Sequence, residues 1–419
     1  MSAYVINGGR RISGSLSVQG AKNSALPILA ATLLAEGKFI IHNCPRLSDI
    51  DSTIKILKSL GCTVLRAGGD VTVDTTDACG FEISESLMRD MRSSVIFMGA
   101  IIGRMGEAVL SAPGGCEIGL RPIDLHLYAV RRLGVKVEED HGKLRCSVPN
   151  GLKGKKITFS FPSVGATENA VLTAVKAHGT TVIVNAAREP EIVDLCNFLI
   201  SCGAEIYGAG ESVITVKGKK KLHSCEYTVM SDRIVAATYL VAGAVTGGDV
   251  SVENIDSSYL HTVLPVLEEA GCNISIRCKT IRLKAPNRLH RIDKLVTQPY
   301  PGFPTDAQAP FTTMFCVADG TGVIVENIFE SRFKQIPELV RMGAKIRTEG
   351  RVAVVEGVER LYGADVMAPD LRGGAALVLA GLCAQGVTRV KNIKFIDRGY
   401  EGFEENLCLL NADIVRKAV

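Results

Sequence analysis

The sequence predicts an α/β protein of two domains, each an inside-out barrel of three β-α-β-α-β-β units with buried helices and outer sheets. Three observations predict it: a unit of about 70 residues recurs six times, the first helix of each unit is almost free of charge, and short β-branched runs flank the helices. A chain of 419 residues also suits two or three hydrophobic cores rather than one.

Each unit opens with a stretch that starts polar, runs small and apolar for about four turns and stops at a glycine. The starts lie near Lys22, Arg92, Ser163, Ser231, Thr305 and Asp370; the stops are Gly37, Gly106, Gly179, Gly247, Gly320 and Gly386, each a natural helix C-cap. Stretches such as Ala25 to Ala35 and Gly373 to Ala384 lack the polar face of a surface helix, so these helices belong inside. A second helix in each unit ends on a short turn: Leu60-Gly61-Cys62, Leu133-Gly134-Val135, Cys202-Gly203-Ala204, Ala270-Gly271-Cys272, Met342-Gly343-Ala344 and Leu410-Asn411-Ala412. Asn tolerates the left-handed backbone that Gly supplies elsewhere, so the sixth unit fits the pattern. Runs such as Phe39-Ile40-Ile41, Thr181-Val182-Ile183-Val184 and Val323-Ile324-Val325 read as strands. Six units divide as two sets of three, with a change of domain near Tyr227 to Ser231; a single ring of six is the alternative.

Composition excludes several classes. Hydrophobic residues make up 47% and charged ones 22%, with no low-complexity tract, so the chain is neither disordered nor fibrous. The net charge of +4 gives no long-range field for nucleic acid, and the run Lys217-Gly218-Lys219-Lys220-Lys221 reads as a solvated turn. Thirteen cysteines without a C-x-x-C pair fit neither zinc ligation nor a disulfide framework, which points to a reduced, cytoplasmic setting. The start Met1-Ser2-Ala3-Tyr4-Val5 lacks a signal-peptide pattern, and apolar runs such as Val235 to Val245 are too short to span a bilayer. There is no G-x-G-x-x-G, P-loop or G-x-S-x-G, and the seven His show no ligand spacing, so neither a metal nor a dinucleotide cofactor is implied.

The polar helix starts carry the chemistry: Lys22-Asn23, Arg92-Ser93-Ser94, Ser163, Ser231-Asp232-Arg233 and Asp370-Leu371-Arg372. A cation there opposes the helix dipole and makes sense where an anion sits beside it; otherwise it is a solvated charge. The loop Ser111-Ala112-Pro113-Gly114-Gly115-Cys116-Glu117-Ile118-Gly119-Leu120-Arg121-Pro122 sets one thiol among turn formers, with Arg121 five residues on to lower its pKa. Cys116 is thus a reactive thiol or a packed one. Asp306, after the rigid turn Tyr300-Pro301-Gly302-Phe303-Pro304, is a helix cap or a general base. Arg332 and Arg398 follow strands and suit carboxylate or phosphate, or a surface ion pair.

Together, Lys22-Asn23, the Pro-Gly-Gly-Cys loop running into Arg121-Pro122-Ile123-Asp124-Leu125-His126, Ser163-Val164-Gly165-Ala166-Thr167, Pro304-Thr305-Asp306 and Asp370-Leu371-Arg372 closely resemble the UDP-N-acetylglucosamine 1-carboxyvinyltransferase family, enolpyruvyl transferases of the EPSP synthase-like superfamily. The resemblance covers the whole chain. It implies the two-domain fold above, with residues 21–229 as the domain carrying the cysteine loop, 1–20 and 230–419 as the other, and the active site in the cleft between them. It also implies transfer of the enolpyruvyl group of phosphoenolpyruvate to the 3′-hydroxyl of UDP-N-acetylglucosamine with release of phosphate, the first committed step of peptidoglycan precursor synthesis. No cofactor is required, and the partners are these two small molecules.

By matching positions, the resemblance makes Cys116 the general acid, able to form a covalent phospholactoyl adduct, and Asp306 the acceptor of the hydroxyl proton. Lys22, Arg121 and Arg398 would hold phosphate, Arg332 and Arg372 the carboxylate or the closed state, and Asn23 would touch the reacting centre, with Asp370 in support. Arg92, Arg121, Pro122, Ile123, Asp124, Leu125, Ser163, Val164, Gly165, Asp306 and Ile328 would line the sugar nucleotide. One departure is Phe161, where some members carry a lysine to the diphosphate. The related shikimate 3-phosphate transferase lacks the Pro-Gly-Gly-Cys loop. A noncatalytic sugar-nucleotide binder is the alternative from another class, since fold alone does not fix function.

Overall fold

In the computed structural model, which describes residues 2–111 and 123–418, six largely buried helices recur at the spacing the glycines predict. They are α1 (Lys22–Ala31), α2 (Phe97–Met105), α3 (Val164–Ala174), α4 (Arg233–Val245), α5 (Thr305–Val317) and α6 (Leu371–Cys383). The chain divides into two compact units, residues 20–111 with 123–230 and residues 2–19 with 231–418. Each has its own hydrophobic core.

In the first unit α1, α2 and α3 pack together, with three sheets around them. In the sheet that follows α1, Glu226–Thr228 runs parallel to Lys38–His42, Lys38–His42 antiparallel to Asp70–Asp74, and Asp70–Asp74 antiparallel to Thr63–Ala67. The second unit repeats the plan around α4, α5 and α6. Every residue of α4 is buried, so no stripe of it faces water, and each fully buried Val, Leu or Ile contributes about 1.5–3 kcal/mol. Residues 2–19 complete this unit: Ser13–Ser17 lies parallel to Asp249–Glu253, and Ser2–Asn7 lies between Val387–Lys391 and Ile414–Ala418.

All six stop glycines have positive φ, from +65° to +122°. Only Gly106 and Gly247 stand directly at a helix end, however; the other four lie further along the turn into the next strand, because the last helical turn loosens first. The second series behaves as expected, and Asn411 takes the glycine's place with φ +62°.

A further recurrence ties strand ends together. Asn43, Asn185, Asn254 and Asn392 each follow the first strand of a unit at φ +56° to +61°. Their side-chain amides donate to the carbonyls of Val229 (2.9 Å), Phe159 (3.0 Å), Val18 (3.5 Å) and Ala368 (3.2 Å). Each carbonyl directly follows a short parallel strand, so each amide ties the end of that strand to the end of its neighbour. In the fifth unit Glu326 holds this place: Oε2 accepts from the Thr305 hydroxyl at 3.0 Å and Oε1 from the Ile328 and Phe329 amides.

Candidate functional site

The first unit presents the start of α1. Lys22 is its first residue, and Nζ lies 3.2 Å from Oδ2 of Asp49, a carboxylate 5% exposed on the outer helix Ser48–Ser59. The cation that opposes the helix dipole therefore has an anion supplied by the chain itself. Asn23 is exposed beside it. Ser24 donates to Asp194, which also accepts from the Tyr227 hydroxyl at 2.7 Å and the Met230 amide at 3.1 Å. Burial raises the Asp194 pKa against these three donors.

The start of α3 lies in the same unit. Ser163 caps it, its hydroxyl accepting from the Ala166 amide at 3.4 Å. Val164, Gly165, Ile123 and Leu125 are half-buried, while Asp124 opens the outer helix Asp124–Arg132 and is exposed, as is Phe161. Within α3, burial first, and then Glu191 and Glu189, push the Glu168 carboxyl up to about 8. Its neighbour Asn169 is hydrogen-bonded to His126 at 2.8 Å. Cys116, Arg121 and Pro122 lie outside the described residues, as does the side chain of Arg92.

In the second unit Asp306 is the second residue of α5, and its side chain does not cap that helix. Oδ1 accepts from Arg332 Nη2 at 2.5 Å; Oδ2 accepts from Arg372 Nη2 at 3.1 Å and Nε at 3.3 Å. The guanidinium side chains are 4% and 3% exposed and the carboxylate 27%, so two buried cations aim one partly open anion. Arg372 also lies over the Tyr400 ring, 5.4 Å from its centroid. Arg332 Nε and Arg372 Nη1 are buried, and Arg372 is also held by Tyr400.

Asp370 caps α6, its Oδ1 accepting from the amides of Arg372 (3.0 Å) and Gly373 (2.8 Å). Asp232 caps α4 in the same way, so the plain capping role holds for Ser163, Asp232 and Asp370 but not for Asp306. Arg398 ends the short 3-10 helix Ile393–Arg398 and is half-buried, as is Ile328. Among the described residues no three His, Cys, Asp or Glu side chains gather as metal ligands. Sequence reasoning missed Asp49, Asp194, Glu168 and Asn169. The last two carried a signal, adjacent polar residues inside an otherwise small and apolar helix.

The profile of the EPSP synthase (3-phosphoshikimate 1-carboxyvinyltransferase) family matches residues 6–407. A UDP-N-acetylglucosamine 1-carboxyvinyltransferase 2 of Caldanaerobacter subterraneus is 52% identical over 416 residues, covering 99% of this chain and 100% of that protein. A UDP-N-acetylglucosamine 1-carboxyvinyltransferase of Nitratidesulfovibrio vulgaris is 48% identical over the full length of both chains. Among solved structures, the enolpyruvyl transferase NikO of Streptomyces tendae superposes with a TM-score of 0.91 at 25% identity, covering 100% of this chain and 99% of that one. An EPSP synthase of Acinetobacter baumannii, at 18% identity with full coverage of both chains, shares the fold with a TM-score of 0.77. The chain belongs to the EPSP synthase family, among its UDP-N-acetylglucosamine 1-carboxyvinyltransferases.

Proposed function

We propose that the chain transfers the enolpyruvyl group of phosphoenolpyruvate to the 3′-hydroxyl of UDP-N-acetylglucosamine and releases phosphate. The observation that carries this is the likeness to transferases of that name, 52% identical along the whole chain. Both substrates are anions, which suits a cation at the start of α1 and guanidinium N–H groups beside Asp306. The reaction needs a proton for the enol methylene, a cation-like carbon at C2 and a base for the attacking hydroxyl.

Cys116 is assigned the proton donor and Asp306 the acceptor of the hydroxyl proton. Lys22, Arg121 and Arg398 are assigned to the phosphate, Arg332 and Arg372 to the carboxylate or to closure, and Asn23 to the reacting centre, supported by Asp370. Arg92, Arg121 to Leu125, Ser163 to Gly165 and Ile328 are assigned to the sugar nucleotide. No helix among the described residues is long and apolar enough to cross a membrane, and a cytoplasmic enzyme fits the two soluble substrates. The test is phosphate release with phosphoenolpyruvate and each of two acceptors, UDP-N-acetylglucosamine and shikimate 3-phosphate. Release is expected with the sugar nucleotide alone; release only with shikimate 3-phosphate would reassign the acceptor.

A further inference from the structure

Among the described cysteines, Cys202 and Cys225 bring their sulfurs within 3.4 Å of each other. Cys202 ends the helix Pro190–Ser201 and is 2% exposed, while Cys225 is half-buried and directly precedes the strand Glu226–Thr228. Their backbones are neighbours as well. The Cys202 carbonyl accepts from the His223 N–H at 3.0 Å, and a Cβ on Gly203 would come within 3.2 Å of the His223 ring. About two turns earlier in the helix, Asp194 accepts from the Tyr227 hydroxyl and the Met230 amide, so the strand segment is fastened to the helix both before and after Cys225. An S–S bond is about 2.05 Å long, which leaves the sulfurs about 1.4 Å to close, a gap that rotation about the Cα–Cβ bonds can cover.

The two thiols are unequal. With Cys202 as the donor, the hydrogen bond between them lowers the Cys225 pKa, against the opposing effect of burial, and raises that of Cys202. Cys225 is therefore the sulfur that becomes a thiolate first, and it is also the less enclosed of the two.

We infer that Cys202 and Cys225 form a reversible disulfide by exchange with a small-molecule disulfide, tying the end of the helix Pro190–Ser201 to the start of the strand Glu226–Thr228. The Cys225 thiolate attacks one sulfur of the small disulfide; a bond to Cys225 forms, the small molecule's S–S bond breaks, and one thiolate leaves. Cys202 then releases its proton, its sulfur attacks that of Cys225, and the second small thiolate leaves. Two protein thiols are oxidised, one small disulfide is reduced to two thiols, and the protons lost by the cysteines end on those thiols. In a reducing compartment such a link forms only when the oxidised small molecule accumulates.

The test uses full-length protein in glutathione buffers of increasing oxidation, followed by alkylation and tryptic digestion. The peptides 189–217 and 222–233 should appear joined, at a mass two hydrogens below their sum, and a reductant should separate them. The first peptide also holds Cys196, so Cys202→Ser identifies the partner: it should abolish the joined species and leave Cys225 capped by glutathione. Joined peptides that persist in Cys202→Ser would overturn the inference, as would free thiols or a glutathione-capped Cys225 in the oxidised wild type. Cys225→Ser should leave Cys202 unmodified; glutathione on Cys202 there would overturn the order of attack.

The link closes a loop between residues 23 apart in sequence, so oxidation should raise the wild-type Tm by on the order of 5 °C and a reductant should reverse the rise. In either Ser variant the oxidised and reduced values should coincide. A linked wild type whose Tm fell or stayed put would show that the bond does not fit the native fold, and would count against the site.

Discussion

Asp306 and Arg372 stand 66 residues apart in sequence, yet Oδ2 of the first accepts from Nη2 of the second at 3.1 Å. With Arg332 on the other oxygen at 2.5 Å, the carboxylate cannot turn without breaking a charge-assisted hydrogen bond. The base role proposed for Asp306 calls for a carboxylate held this way, because proton transfer is strict in distance and direction.

Asp306→Asn should lower kcat by at least ~100-fold, the usual scale for losing an acid–base group. Steady-state kinetics with both substrates saturating checks this, and near-wild-type turnover would remove Asp306 from the proton path.

Arg372→Met should destabilise the fold by on the order of 2–3 kcal/mol. That is below the range for breaking a fully buried pair, because Asp306 is partly exposed and keeps Arg332. Urea unfolding measures it; an unchanged midpoint would mean that the pair contributes nothing to stability.

Cys116→Asp should retain part of the activity, since a carboxylic acid still donates a proton, and should resist thiol-directed epoxides. A folded but inactive Cys116→Asp would argue against the acid role.

Glu168 supplies a pH test. Its carboxyl moves from the ordinary 4.5 to about 8 on folding, chiefly through burial. Between those values the folded state holds a proton that the unfolded state has lost, so stability falls as pH rises through this window. Glu168→Gln has no such proton to lose. The variant's Tm should gain on the wild type steadily from pH 5 to pH 8, whereas parallel profiles would show that Glu168 is ionised in the fold.

Asn185→Ala should cost about 1–2 kcal/mol, from the lost bond to the Phe159 carbonyl and from alanine at φ +56°. Asn185→Gly removes the second cost and should recover part of the loss in the same unfolding measurement.

The repeat was legible because its marks are backbone requirements. A turn at positive φ selects Gly, or Asn at 411, whatever packs around it. The uncharged inner helices were legible for a similar reason, since a helix with no polar stripe has to be enclosed. The pairings were not. Asp49 lies 27 residues from Lys22 and Arg332 lies 26 from Asp306, distances at which no periodicity connects partners. Lys22 read as a cation awaiting an outside anion because its own carboxylate sits on a different helix. The amides of Asn43, Asn185, Asn254 and Asn392 escaped notice although each directly follows a strand, since their acceptors are main-chain carbonyls of another segment.

The strand Ser2–Asn7 bears on how the protein is made. It pairs with Val387–Lys391 and Ile414–Ala418, and the Tyr4 hydroxyl bonds Glu404, 400 residues downstream. On the ribosome this strand emerges about 380 residues before either partner. Residues 20–111 and 123–230 can collapse around α1, α2 and α3 meanwhile, but the other unit cannot close the sheet of Ser2–Asn7 until Ile414–Ala418 has left the exit tunnel. Its two edges stay unpaired through that interval, which makes the nascent chain, rather than the finished enzyme, the form most in need of a chaperone.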